Sequence, residues 1–234
     1  MLGISRTSTF PIESFESPKE APRHSVIPLA PGSHPDALPG EPRLRGALLR
    51  ELALGFERRF GREVLVSFLD ATAESDRMNL NRDGPAFGIA VNGWYSAKTF
   101  EALFDAALAG LAPSVAAFAI REVAAEAVRH LSRGLYAELF HRLNSPELFV
   151  DHAPTAWRYL STSGHLTAAS VLGRCEITIS AWPGHSAAMC IVMGQFFQGA
   201  FAHMACRDVT LEHVGCVARG HPECHYRVRY HDPP

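Results

Sequence analysis

Residues 166 to 230 constrain the fold more than any other stretch, because two strand pairs bracket a single helix. Leu166 to Val171 and Cys175 to Ala181 flank Gly173-Arg174, while Val209 to Ala218 and Cys224 to Tyr230 flank Arg219-Gly220-His221-Pro222. Runs rich in Val, Ile, Thr and Tyr with Gly or Pro between them predict β-hairpins. The alternation Glu176, Ile177, Thr178, Ile179 predicts a half-buried sheet. Between the hairpins, Ser186 predicts the N-cap of a helix from Ala187 to about Ala205, with Cys190, Gly194, Phe197, Phe201 and Met204 on one stripe. Strand-strand-helix-strand-strand after a helical first half is an α+β order with an antiparallel sheet.

Upstream, residues 1–41 hold Pro11, Pro18, Pro22, Pro28, Pro31, Pro35 and Pro39 among Ser and Gly. Such a segment buries too little apolar surface to offset its ordering entropy, so a flexible leader is expected, followed by a single α+β domain over 42–232. Leu44, Leu48, Leu49, Leu52, Phe56 and Phe60 recur at helical spacing and predict the first core helix, ended by Gly61. Val64 to Leu69 predicts a short helix, and Phe87 to Val91 a short strand. Ser96 predicts a cap for a helix over 97–111, and Pro113 the start of a long helix reaching Leu143. Pro146 and Pro154 each predict the start of a short helix.

Charge and composition exclude several function classes. With 22 Lys and Arg against 24 Asp and Glu, the chain has a formal net charge of -2 and no basic run. It therefore lacks the electrostatic footprint of a nucleic-acid binder. The N-terminus has no apolar core of signal-peptide length, which predicts a cytoplasmic protein with reduced thiols, and no apolar run predicts a membrane span. An odd five cysteines argue for free thiols or metal ligands over a disulfide framework.

Four of the five cysteines fall between Gly184 and Tyr230. Cys190 rides in the first turn of the predicted helix, where the helix dipole favours a thiolate, and Cys216 and Cys224 lie on the last hairpin. Three thiols in such an arrangement suit structural zinc, which takes four N or S ligands. Cys175 and Cys206 read as core. Gly184-His185-Ser186-Ala187-Ala188 has the strand-to-helix context of a nucleophile elbow, but a hydrolase needs a parallel sheet and a later acid and histidine. The helix-cap role explains Ser186 with less, so no catalytic residue and no enzyme is expected. No histidine stands out as a heme ligand. Trp157, Tyr159, Trp182, Phe197 and Phe201 are the large groups expected between the helical layer and the sheet, and they form the candidate ligand pocket.

The helix-borne Cys, the Gly-containing helix and Cys-x7-Cys across a hairpin resemble the C-terminal end of 4-vinyl-reductase-type domains, whose fold is shared by TRAPP-complex subunits and by sensors of phenol-responsive activators. Asp76-Arg77-Met78-Asn79-Leu80, Gly93-Trp94-Tyr95, Ser145-Pro146-Glu147 and Ala156-Trp157-Arg158 extend the likeness to an uncharacterised paralogous family of myxobacteria. In the phenol sensors the fourth metal ligand is a Glu three residues before the first hairpin Cys. His213 holds that place here, beside Glu212. Strict alternation puts Glu212 on the face of Cys216, whereas His213 needs a bulge, which Gly215 permits. Imidazole is the better zinc ligand, so the implied set is Cys190, His213, Cys216 and Cys224, with Glu212 the alternative to His213. The resemblance implies a non-enzymatic sensory or regulatory domain that binds a small apolar or aromatic molecule and signals to a partner, possible as a homodimer. The alternative is a ligand-free interaction or dimerisation module.

Overall fold

A computed structural model describes residues 41–231 except Leu135. The expected leader over 1–41 therefore lies almost wholly outside the described residues. Among those described, the order is β1 (Arg43–Arg45), α1 (Gly46–Phe60), α2 (Val66–Ala71), α3 (Glu74–Arg77), β2 (Trp94–Ser96), α4 (Ala97–Leu108), α5 (Pro113–Arg133), α6 (Ala137–Arg142) and α7 (Pro146–Leu160). Then come β3 (His165–Val171), β4 (Arg174–Ser180), α8 (Ala187–His203), β5 (Arg207–Gly215) and β6 (Cys224–His231). This is the α+β architecture that the strand-strand-helix-strand-strand order implies.

Four strands make one antiparallel sheet in the order β3-β4-β6-β5. Its register pairs Ile177 with Tyr226 and Ile179 with Cys224 on the inner face, and Glu176 with Arg227 on the outer face. The pleat thus separates apolar from charged side chains, as a sheet covered on one side requires. Helix α7 packs along β3, α8 crosses β5 and β6, α5 lies against α8, and α1 lies against α5. Helix α8 is consequently enclosed between sheet and helices, with Met189, Cys190, Val192, Met193, Phe197, Ala200 and Phe201 all buried. A helix apolar on every side can be satisfied only in such a position.

The α5–α8 contact is close because Gly199 carries no side chain. A Cβ there would meet Val128 Cγ1 at 2.5 Å. On the opposite side of α5, a Cβ at Gly55 of α1 would meet Val123 Cγ1 at 2.6 Å.

Several local expectations change. The first helix starts at Gly46, because Arg43–Arg45 pairs with Trp94–Ser96 in a two-stranded ribbon. Phe87 begins no strand: Ala86 and Phe87 take positive φ of 48° and 55° in a tight turn. The long helix from Pro113 stops at Arg133, since Gly134 leaves the helical region with φ -110° and ψ -124°. Conversely, α7 runs unbroken through Pro154. Burial of Phe149, Ala153 and Trp157 on one stripe offsets the roughly 3 kcal/mol that an interior proline costs.

Under the ribbon lies a buried carboxylate. Asp76, 1% exposed, accepts from Ser96 N at 2.7 Å and Thr99 Oγ1 at 2.6 Å through Oδ2, and from Arg43 Nη1 at 3.2 Å through Oδ1. The charge is neutralised by Arg43 and its lone pairs are used, which is the condition for burying it.

Candidate metal centre and interior cavities

Ser186 accepts from Met189 N at 3.2 Å and so caps α8. That cap fixes the first turn, and Cys190 projects from it toward the sheet. Tyr226 on β6 donates to the Cys190 carbonyl at 3.1 Å and pins that turn to the strand. On β5 the register shifts between His213 and Gly215, so Val214 is the extra residue of a bulge. The bulge places His213 with Cys216 and leaves Glu212 on the outer face, 3.3 Å from Arg227 Nη1. Donor atoms of Cys190, His213, Cys216 and Cys224 all lie within 4.8 Å of one another.

Within the cluster, Cys190 Sγ is 3.3 Å from Cys224 Sγ and 3.6 Å from Cys216 Sγ. Two thiolates held about 2.3 Å from one tetrahedral ion would stand roughly 3.8 Å apart, so the sulfurs are slightly closer than such an ion requires. His213 stacks on Tyr226 with ring centroids 4.4 Å apart and its Nε2 is buried without a hydrogen-bond partner. His185 is a fifth group that sequence reasoning left out. Its Nδ1 lies 3.2 Å from Cys224 Sγ, while Trp182 meets its ring edge-on at 4.9 Å. The only sequence signal for His185 was its place just before the helix cap.

The hydrogen bond between Cys190 and Cys224 drives their ionisation apart. Cys224 lies far below the usual thiol range, because Cys190 donates to it and His185, His213 and the Val217 N–H add to the effect. Cys190 is raised by the same bond, then by burial and the charge on its neighbour. Burial and the adjacent sulfur charges likewise raise the Tyr226 phenol. Elsewhere, burial pushes Cys175 up to about 12, as suits a thiol that packs as an apolar group. Cys206 is also buried.

The expected aromatic pocket is mostly filled. Phe201 packs against Phe149 and Tyr230 with centroids 5.2 and 5.0 Å away. Trp182 stands edge-on to Trp157 at 5.2 Å, and Tyr159 is half-exposed. Among the described residues, two small cavities of about 20 Å³ each, with apolar walls, remain beside these rings. Trp157 lines both and Phe197 lines one, whereas Tyr159, Trp182 and Phe201 line neither.

No family model and no curated protein sequence matches the chain. The resemblance to 4-vinyl-reductase domains and to a myxobacterial family finds no support there. Solved structures do match. An H-NOX protein from S. oneidensis in the Fe(II)NO ligation state has a TM-score of 0.60 at 11% identity, covering 81% of this chain and 100% of that one. The A71G mutant of an H-NOX protein from K. algicida, Fe(II) and unliganded, has a TM-score of 0.54 at 11% identity over 81% and 97%. A structure described as probing heme distortion in the H-NOX family has a TM-score of 0.56 at 12% identity over 82% and 97%. At these identities the likeness establishes a shared fold.

The comparison corrects the cofactor expectation of structural zinc: these neighbours are Fe(II) and heme proteins, and none of them is a zinc protein by its description. Heme itself does not fit the residues present here. Small-molecule pockets span about 300–1,000 Å³, an order of magnitude above the two cavities walled by Trp157 and Met193, and an open groove of about 490 Å³ between α4 and the start of α8 has no histidine in its lining. No histidine among the described residues is fully buried, and the half-buried His185 and His213 face sulfur.

Proposed function

We propose that this chain is a non-enzymatic sensory or regulatory domain that takes a small apolar or aromatic molecule into its interior and passes that state to a protein partner in the cytoplasm. The observation that carries the reading is a pair of apolar-walled cavities in the helical layer of a fold shared with H-NOX proteins. Ser186, the one residue in a nucleophile-elbow context, spends its hydroxyl on the cap of α8. Among the described residues no single helix is long and apolar enough to cross a membrane. The test is a thermal-shift screen of apolar and aromatic compounds, since a ligand specific to the folded state stabilises it by about 2.7 kcal/mol at a hundredfold excess over Kd. A flat response to every compound rejects the reading in favour of a ligand-free interaction or dimerisation module, for which a homodimer by light scattering would be the sign.

Cys190, His213, Cys216 and Cys224 belong to the same proposal as the binding set for one thiophilic metal ion. Three clustered sulfurs and an imidazole whose buried Nε2 lacks a partner support it. Such donors favour soft cations over hard ones. Elemental analysis of the protein as purified, read for every transition metal, tests the set and names the element together.

A further inference from the structure

The two cavities share one wall. Trp157, Leu160, Met193 and Phe196 line both, so these four side chains separate them. Two of the four side chains are held by directional contacts, and a third lies at a fixed helix end. Trp157 donates Nε1–H to the Ser163 carbonyl at 3.0 Å and abuts Trp182. Phe196 packs between Phe140, 5.5 Å away, and Phe197, 6.2 Å away. Leu160 ends α7 just before Ser161 N bonds the Trp157 carbonyl at 2.8 Å. Met193 has no directional contact of this kind, and its side chain is unbranched with three rotatable bonds. Met193 is therefore the member of the partition most able to change rotamer without moving a helix.

The walls also set the chemistry. Arg45 and Tyr136 border the second cavity only through carbon, since the lining is apolar throughout. A hydroxyl or amine brought inside would leave its water partners and find no replacement. A cavity of about 20 Å³ admits a particle the size of one water, and an apolar one of this kind stays dry.

We infer that the ligand site of this domain is the pair of cavities divided by Met193, and that its ligand is an uncharged molecule without hydrogen-bonding groups. Each cavity takes a noble-gas atom or diatomic molecule as it stands, and a single aromatic ring enters when Met193 swings aside. The inference rests on the sensory, ligand-binding reading above and fixes where and what that reading binds.

The test uses the full chain labelled with 13C at the methionine methyls, titrated with xenon, toluene and phenol. The expected result is a saturable shift of the Met193 methyl with xenon and toluene. Met78, 83% exposed, serves as the internal control and stays still. Toluene should bind about tenfold tighter than phenol, the cost of one unpaired hydroxyl. Met193→Ala should tighten toluene binding further by opening the wall. If toluene raises the melting temperature while the Met193 methyl stays still, ligand sensing stands and this site is refuted. Phenol binding as tightly as toluene overturns the ligand class. If no probe shifts either the methyl or the melting temperature, both the site and the sensory reading fall.

Discussion

Cys190 Sγ and Cys224 Sγ stand 3.3 Å apart although they lie 34 positions apart in the sequence, and the contact joins the first turn of α8 to the start of β6. A ligand shared by Cys190, Cys216 and Cys224 would therefore tie the last helix to the terminal hairpin. If they hold a metal ion with His213, its binding free energy is folding free energy for that part of the chain. Cys216→Ser is expected to lose the bound metal and to lower the unfolding midpoint, while Cys206→Ser leaves metal content unchanged. Equal metal content in the two variants, with equal midpoints, would reduce the cluster to packed thiols.

Asp76 provides a test of the ribbon that leads into the helical layer. Asp76→Ala removes the acceptor of Ser96 N and Thr99 Oγ1 and leaves Arg43 without its buried partner. The expected loss is about 3–5 kcal/mol by urea denaturation, the range for breaking one side of a buried ion pair. A loss under about 1 kcal/mol would mean that water replaces the carboxylate.

The β-hairpins and α8 are legible in the sequence because local signals and tertiary demands agree there. Alternation through Glu176–Ile179 matches a sheet with one covered face, and Ser186 acts on its own helix. The His213 bulge is legible only as a requirement of ligand geometry, since nothing local forces Val214 out of register. Pro154 and Gly134 mislead because their local preferences compete with burial of distant stripes, and burial prevails at Pro154 but not at Gly134. His185 escapes notice for a different reason: its approach to Cys224 depends on how α8 lies over β6, which no spacing encodes. The cavities are likewise a residue of packing, so five plausible aromatics yielded only Trp157 and Phe197 as wall.

Gly199 is the point where α5 and α8 approach through a missing side chain. Gly199→Ala gains about 1 kcal/mol of helix propensity but places Cβ 2.5 Å from Val128 Cγ1. Overpacking costs of about 1–3 kcal/mol make the net effect destabilising. Adding Val128→Ala relieves the clash, and a double-mutant cycle by chemical denaturation should show positive coupling between the two sites. Additive losses would place the strain elsewhere.

On the outer sheet face, Glu176 gathers Arg227 Nε at 2.7 Å, His225 Nε2 at 2.7 Å and Arg174 Nε at 3.3 Å. Partial burial pushes its carboxyl up, but the hydrogen bonds and charges of Arg227 and His225 outweigh that and hold it below the usual carboxylate range. A carboxylate depressed in the folded state adds stability that is fully present above its unfolded value of about 4.3 and disappears as pH falls through the folded one. The site is partly solvated, so its contribution is under about 1 kcal/mol. Glu176→Gln should therefore lower stability slightly at pH 7 and flatten the acid limb of the stability curve below about pH 4. Denaturation midpoints from pH 3 to 7 measure both effects together, and parallel curves for the two proteins would show that Glu176 titrates alike in the folded and unfolded chains.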